Sequence, residues 1–321
     1  MRKMRKRRIF IGSSSESKAL AMKIQERLAE SCDCFVWWDD FFRPGGYVYD
    51  DLIKKAISFD YAILIGGADD MVIRLSSNDE KLSPRDNIYL EYGMYSGILS
   101  TSRILLLMHE DCRVASDLSG MTLKTYASDE TALAITEEWI IGSIQGKFIG
   151  EHSAKSIELL PTVGISVGYF YNFLEPLLNI LATARSFTFE GKEYKISEKR
   201  LFVCVPDYLE SGDSAVKEYT ETLIGGRGLA DAFLGKYRVL IDPSALESGA
   251  LMIYDMPSTL LSVLKTVDYI FGTADGEGTE DSRNAKYRAL DNFVDTLVGL
   301  TSGKKRLACY VEFERFDLSD I

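Results

Sequence analysis

The sequence predicts an α/β protein of two domains, the first a doubly wound parallel sheet. Three observations carry this expectation. Over the first half, short and nearly continuous apolar runs alternate with amphipathic segments, as strands covered by helices on both faces require. Around 143–160 the stretch "SIQGKFIGEHSAKSIELLP" breaks the pattern, which then resumes helix-first. At 321 residues the chain is also long enough for two cores of ordinary size. The boundary is placed near residue 153, giving domains 1–152 and 153–321.

The elements follow in order. "RIFIGSS" (8–14) reads as a buried strand and "ESKALAMKIQERLAE" (16–30) as a helix with apolar residues at helical spacing. "CFVWWDD" (34–40) is the second strand, and "RPGGYVYDDLIKKAISF" a turn running into a helix. "YAILIGGADD" (61–70) is the third strand, ending at Asp69 and Asp70. A helix follows in "SPRDNIYLEYGMYSG", with Ser83 as its cap and Pro84 at its first position. "RILLLM" (103–108) is the fourth strand. The second half opens with an apolar helix over 161–181, then a strand over 199–206 and a Gly-rich segment over 223–241. A strand over 249–255, a helix from "MPSTLLSVLKTVDYI", a helix over 282–300 and a strand over 305–313 complete it.

Composition narrows the chemistry. A net charge of −11 argues against general affinity for nucleic acid polymers or an anionic membrane. No stretch reaches the roughly 20 apolar residues of a membrane helix. The basic leader "MRKMRKRR" has no apolar core behind it, so it does not read as a signal peptide and a cytoplasmic protein is expected. Five cysteines without paired spacing, and two isolated histidines, His109 and His152, give no basis for a disulfide framework or a metal site. The same scarcity disfavours Ser-His-Asp and Cys-His catalysis. An enzyme built from this chain works with carboxylates.

Glu91 is the carboxylate that draws attention, set in the apolar and aromatic run "NIYLEYGMYSG". Burying it unpaired is costly. Asn87 lies one turn earlier and shares its helix face. By pattern alone, Glu91 also fits a surface position on an ordinary amphipathic helix. Parallel doubly wound sheets bind ligands beyond the carboxyl ends of their strands, which here carry Ser13–Ser15, Asp39–Arg43 and Asp69–Asp70.

"IFIGSSSE", "YAILIGGADD", "RDNIYLEYGMYSG" and "SDLSGM" occur in the order found in bacterial TIR-like domains, and the resemblance covers residues 8 to about 126. It implies a flavodoxin-like fold in which the helix-borne Glu91 cleaves the glycosidic bond of NAD. Tyr92 stands where the family has Leu after the glutamate. Nicotinamide leaves NAD as a neutral base, so one carboxylate suffices where ordinary glycosidases need two. The resemblance further implies NAD contacts from Ser13, Ser14, Asn87 and, in the mobile loop after the second strand, Trp38, Phe42 and Arg43. A plain turn for the serines and core packing for the aromatics remain alternatives.

From residue 161, "VGISVGYFYNFLEPLL", "RLFVCVPDYL", "KYRVLI", "LMIYDMPSTLLSVL", "DSRNAKYRALDNFVDTL" and "RLACYVEF" resemble STING, the cyclic-dinucleotide receptor, in order and spacing. The whole chain therefore resembles a bacterial TIR-STING effector of cyclic-oligonucleotide anti-phage (CBASS) systems. The resemblance implies a homodimer through the STING domain, with Phe173 stacking on a nucleobase and Arg238 covering base and phosphate. It implies Asp255 as the acceptor for guanine, with Thr259 beside it and Arg227 as a weaker lid residue. Core packing for Phe173, a solvated Arg238 and a helix-capping Asp255 are the bland alternatives. A carboxylate suits the N–H edge of guanine, which points to cyclic di-GMP. The implied function is NAD hydrolysis switched on when the dinucleotide drives assembly into a filament, with no cofactor and no metal. A non-enzymatic receptor-adaptor is the alternative, and a deoxyribosyltransferase-like enzyme a third.

Overall fold

The computed structural model describes residues 6–38, 48–74, 79–114, 118, 123–144, 162–209, 214–273 and 278–316. The chain divides into two compact units, Met1–Leu159 and Leu160–Ile321.

In the first unit the strands β1 (Arg7–Ser13), β2 (Cys32–Val36), β3 (Tyr61–Gly66), β6 (Ile104–His109) and β7 (Leu123–Tyr126) form one sheet in the order β2-β1-β3-β6-β7. Every neighbouring pair is parallel. Strand alternation sends side chains to two separate cores. Ile9, Ile11, Ile63, Ile65, Leu105 and Leu107 pack against α1 (Lys18–Leu28) and α4 (Asp129–Ile144). Phe10, Ala62, Leu64, Ile104, Leu106 and Met108 pack against α2 (Val48–Ala56) and α3 (Asp86–Leu99). The sheet is thus doubly wound, as its near-continuous apolar strands predict.

Three local expectations are corrected. The third strand stops at Gly66, and Asp70 instead opens an antiparallel hairpin, β4 (Asp70–Arg74) with β5 (Asp79–Ser83). Ser83 therefore pairs with Asp70 rather than capping a helix; a residue before proline is pushed toward extended backbone. The helix carrying Glu91 starts at Asp86, after Arg85, with no side-chain cap.

The second unit holds a five-stranded sheet in the order β11-β12-β13-β10-β14. Its strands are β10 (Glu198–Pro206), β11 (Ala230–Leu234), β12 (Tyr237–Ile241), β13 (Ala250–Asp255) and β14 (Val311–Phe316). β10 runs parallel to β13 and β14, while β11 and β12 form a hairpin antiparallel to β13. A separate hairpin joins β8 (Ser186–Phe189) to β9 (Lys192–Lys195). The opening helix is α5 (Thr162–Tyr169), a π-helical turn (Phe170–Leu174) and α6 (Glu175–Thr183). Pro176 has no N–H to donate to the preceding turn, a recognised cause of such irregularity. The Gly-rich segment over 223–241 holds the end of α7 (Ala215–Arg227), stopped by Gly228 at φ 63°, and then the β11–β12 hairpin. α8 (Leu260–Phe271) and the long α9 (Glu280–Ser302) follow. The last strand lies later than expected, since Lys305–Ala308 form a helical turn. Among the described residues no helix is long and apolar enough to cross a membrane, and no cluster of His, Cys, Asp and Glu could hold a metal.

Candidate functional site

Two places concentrate polar groups that the fold leaves unmatched. In the first unit β1, the neighbour of the central strand β3, carries Gly12 near its carboxyl end. A Cβ built there would collide with Glu91 Oε2 and approach Leu64 Cδ2 at 2.7 Å. The missing side chain is what admits the carboxylate, and Gly12 is required for that close approach. Glu91 Oε2 is buried and has no hydrogen-bond partner. Burial alone pushes the Glu91 carboxyl up to about 7. One turn on, the fully buried Tyr95 stacks on Phe10 with ring centroids 4.8 Å apart. Its hydroxyl also lacks a partner. Burial, then the nearby Glu91 charge, holds it well above the usual phenol range.

Further unmatched atoms lie around the ends of the same strands. Ser13 Oγ at the end of β1, Trp37 Nε1 just after β2 and Asp69 Oδ2 beyond β3 are all buried without partners. Native interiors leave few such atoms. Their gathering where ligands of this fold bind marks a site built to be completed by something else. Arg85 braces the rim, contacting Glu16 at 2.6 Å and Asp70 at 3.2 Å.

The remaining predicted residues fall as follows. Asn87 is exposed, one turn before Glu91. The oxygen Oγ of Ser14 accepts from the Ser17 N–H at 3.1 Å, so it serves the turn before α1. Trp38 does not join Glu91: it packs with the α1/α4 core and has Lys18 Nζ 4.6 Å above its ring. Trp37, not singled out from the sequence, packs on the Glu91 side. Counting alternation forward from Phe35 would have separated them. Phe42 and Arg43 lie outside the described residues.

In the second unit a cavity of about 1100 Å³ opens between α5, the π-helical turn, α7, the β11–β12 hairpin and the end of β13. Phe173, Arg238, Asp255 and Thr259 all line it. Phe173 meets Tyr237 edge-on at 5.6 Å and Tyr169 at 5.4 Å, leaving the ring half-buried. Asp255 ends β13, where Tyr169 donates to its Oδ2 at 2.5 Å. Burial pushes this carboxyl up to about 6, against the Tyr169 hydrogen bond, which lowers it. Tyr169, 86 positions away in sequence, gave no sequence signal of this role. Thr259 precedes α8 with a buried hydroxyl that has no partner. Arg238 is exposed and grips Asp231 through two 2.8 Å hydrogen bonds. A pair so exposed is worth little in water, and an incoming phosphate can compete for the guanidinium. Arg227 is placed otherwise: it ends α7, pairs with Glu314 at 2.9 Å and sits over the Tyr254 ring.

Comparison with known proteins assigns both halves. Residues 8–128 match the family described as CAP12/Pycsar effector protein, TIR domain, and residues 161–298 match the prokaryotic STING domain. CD-NTase-associated protein 12 of Lachnospiraceae bacterium (strain RUG226) is 29% identical over 90% of this chain and 92% of its own. The protein of that name from Flavobacterium daejeonense is 28% identical over 92% and 94%. A bacterial STING solved in complex with c-di-GMP overlays with a TM-score of 0.44 at 19% identity, covering 51% of this chain and 99% of its own.

Proposed function

Because the chain joins a TIR domain of the CAP12/Pycsar effector family to a prokaryotic STING domain, we propose that it is a cyclic di-GMP-gated NAD glycohydrolase. The observation that carries the enzymatic half is the Glu91 oxygen Oε2, buried and unpartnered in the notch that Gly12 leaves near the end of β1. The C1′–N bond of NAD breaks with its electron pair going to the pyridinium nitrogen, so nicotinamide departs neutral. Water then adds to C1′ and loses a proton, giving ADP-ribose. Ionised Glu91 stabilises the positive charge on the ribose and accepts from its hydroxyls, and its water-poor setting strengthens both effects. Its raised pKa leaves it only partly ionised at neutral pH; the cationic ring of NAD favours the charged form.

The gate is the second unit. Asp255 presents a carboxylate to the N1–H and N2–H donors of guanine, with Phe173 as a stacking wall, Arg238 for phosphate and the Thr259 hydroxyl still unmatched. A two-fold symmetric ligand fits a two-fold dimer, each protomer giving the same contacts. Dimers then assemble side by side, bringing TIR domains together, and NAD loss arrests the infected cell.

The test is product analysis of the full chain with NAD and a panel of cyclic dinucleotides. Nicotinamide and ADP-ribose are expected with cyclic di-GMP and not with Glu91→Gln. Intact NAD in the presence of bound dinucleotide would favour the receptor-adaptor reading.

A further inference from the structure

We infer that Trp37 forms the nicotinamide subsite beside Glu91, its indole N–H donating to the carboxamide oxygen of the substrate. The inference rests on the NAD-cleaving reading and adds a residue and a chemical preference to it.

β1 and β2 pair in parallel with Phe10 opposite Phe35 and Ile11 opposite Val36. Trp37 follows Val36 directly, in the turn that ends β2. Residues in register on parallel strands share a face, and Phe10 and Phe35 do so here, both in the α2/α3 core. Trp37 packs against that same core. Gly12 opens toward Phe10 and Leu64 of that core, so the indole lies on the sheet face where the missing Cβ admits the Glu91 carboxylate, just past the end of the neighbouring strand.

The chemistry of the two groups is complementary. Indole Nε1–H can only donate, and an ionised carboxylate can only accept. Trp37 Nε1 and Glu91 Oε2 are both buried, and neither has a partner, including each other. A ligand that satisfies both offers an acceptor on one side, and hydroxyl donors or positive charge on the other. The nicotinamide riboside end of NAD has this pattern: a carboxamide oxygen on the ring, then the ring cation and ribose hydroxyls. Core packing explains the indole ring and its edge-on contact with Trp38 at 5.5 Å. It does not explain a buried donor with nothing to bond.

The experiment compares Trp37→Phe and Trp38→Phe with the unaltered full chain, activated by cyclic di-GMP. NAD and its unsubstituted pyridine analogue, which lacks the carboxamide, serve as substrates. Trp37→Phe should raise KM for NAD by about 5–10-fold, the worth of one neutral hydrogen bond, with kcat within about two-fold. On the pyridine analogue its KM should equal that of the unaltered chain. Its melting temperature should not fall, since an unmatched donor has been removed, and Trp38→Phe should leave KM unchanged. An unchanged KM for NAD in Trp37→Phe, or an equal rise on both substrates, overturns the inference. No turnover by the unaltered chain overturns the enzymatic reading itself, a separate outcome.

Discussion

Replacing Glu91 with glutamine removes a charge from a position where the fold gives it no partner. The carboxyl rises from 4.5 to about 7, so the folded domain holds its proton more tightly than the unfolded chain does. Between those two values the folded state binds more protons, and stability falls as pH rises. The full cost, roughly 3 kcal/mol, is reached above pH 7. Glu91→Gln keeps the shape and abolishes the ionisation. Above pH 7 the variant should be more stable by up to about 3 kcal/mol, near pH 4.5 by almost nothing. For a unit of this size, that gain corresponds to a rise of about 6–12 °C in the TIR-domain transition. Calorimetry of both proteins from pH 5 to 8, resolving the two units, measures it. Nicotinamide release should be lost in the same variant, the exchange expected where stability is sacrificed for chemistry. A variant no more stable at pH 8, or a difference that does not grow with pH, would refute the claim that Glu91 is held against its charge.

Other predictions follow from the same geometry. Asp255, at about 6, must be ionised to accept from guanine. Each dinucleotide would meet two copies of Asp255, so cyclic di-GMP should bind about 100-fold more weakly at pH 5 than at pH 8 by calorimetric titration; Asp255→Asn should bind weakly at both. Gly12→Ala puts a methyl where Glu91 Oε2 lies. It should abolish NAD cleavage and cost about 1–3 kcal/mol in TIR-domain stability, while dinucleotide binding by the full chain stays intact. In the second unit, Lys286 and Asp268 form a buried ion pair at 2.7 Å. Lys286→Met should lower the stability of that unit by about 3–5 kcal/mol in denaturant titration, leaving the TIR-domain transition in place.

How much of this was legible in the sequence depends on the range of each cause. Buried parallel strands such as Tyr61–Gly66 announce themselves because both faces are covered and every residue is apolar. The β4–β5 hairpin has no such signature, because Met71, Val72 and Ile73 are all exposed and burial leaves no alternation to read. α4 does carry a local start signal, Asp129 and Glu130 in its first turn. The terminal strand was misplaced because "RLACY" is apolar enough for a strand, yet Leu307 is buried from a helical turn. Glu91 was found by its unusual setting, and its pocket was not, since Gly12 lies far back in the chain. Trp37 and Trp38 are neighbours in sequence and part company only through strand parity. The Tyr169 hydroxyl on Asp255 joins residues from distant elements, and local pattern carries no trace of such a pair.

The central claim is that Glu91 cleaves NAD only once a guanine dinucleotide occupies the second unit. Continuous recording of NAD concentration in a solution of the full chain, with cyclic di-GMP added midway, tests it most directly. The account predicts a flat trace before the addition and a steady fall afterwards. A fall of equal slope on both sides of the addition, or a trace that stays flat throughout, would contradict it.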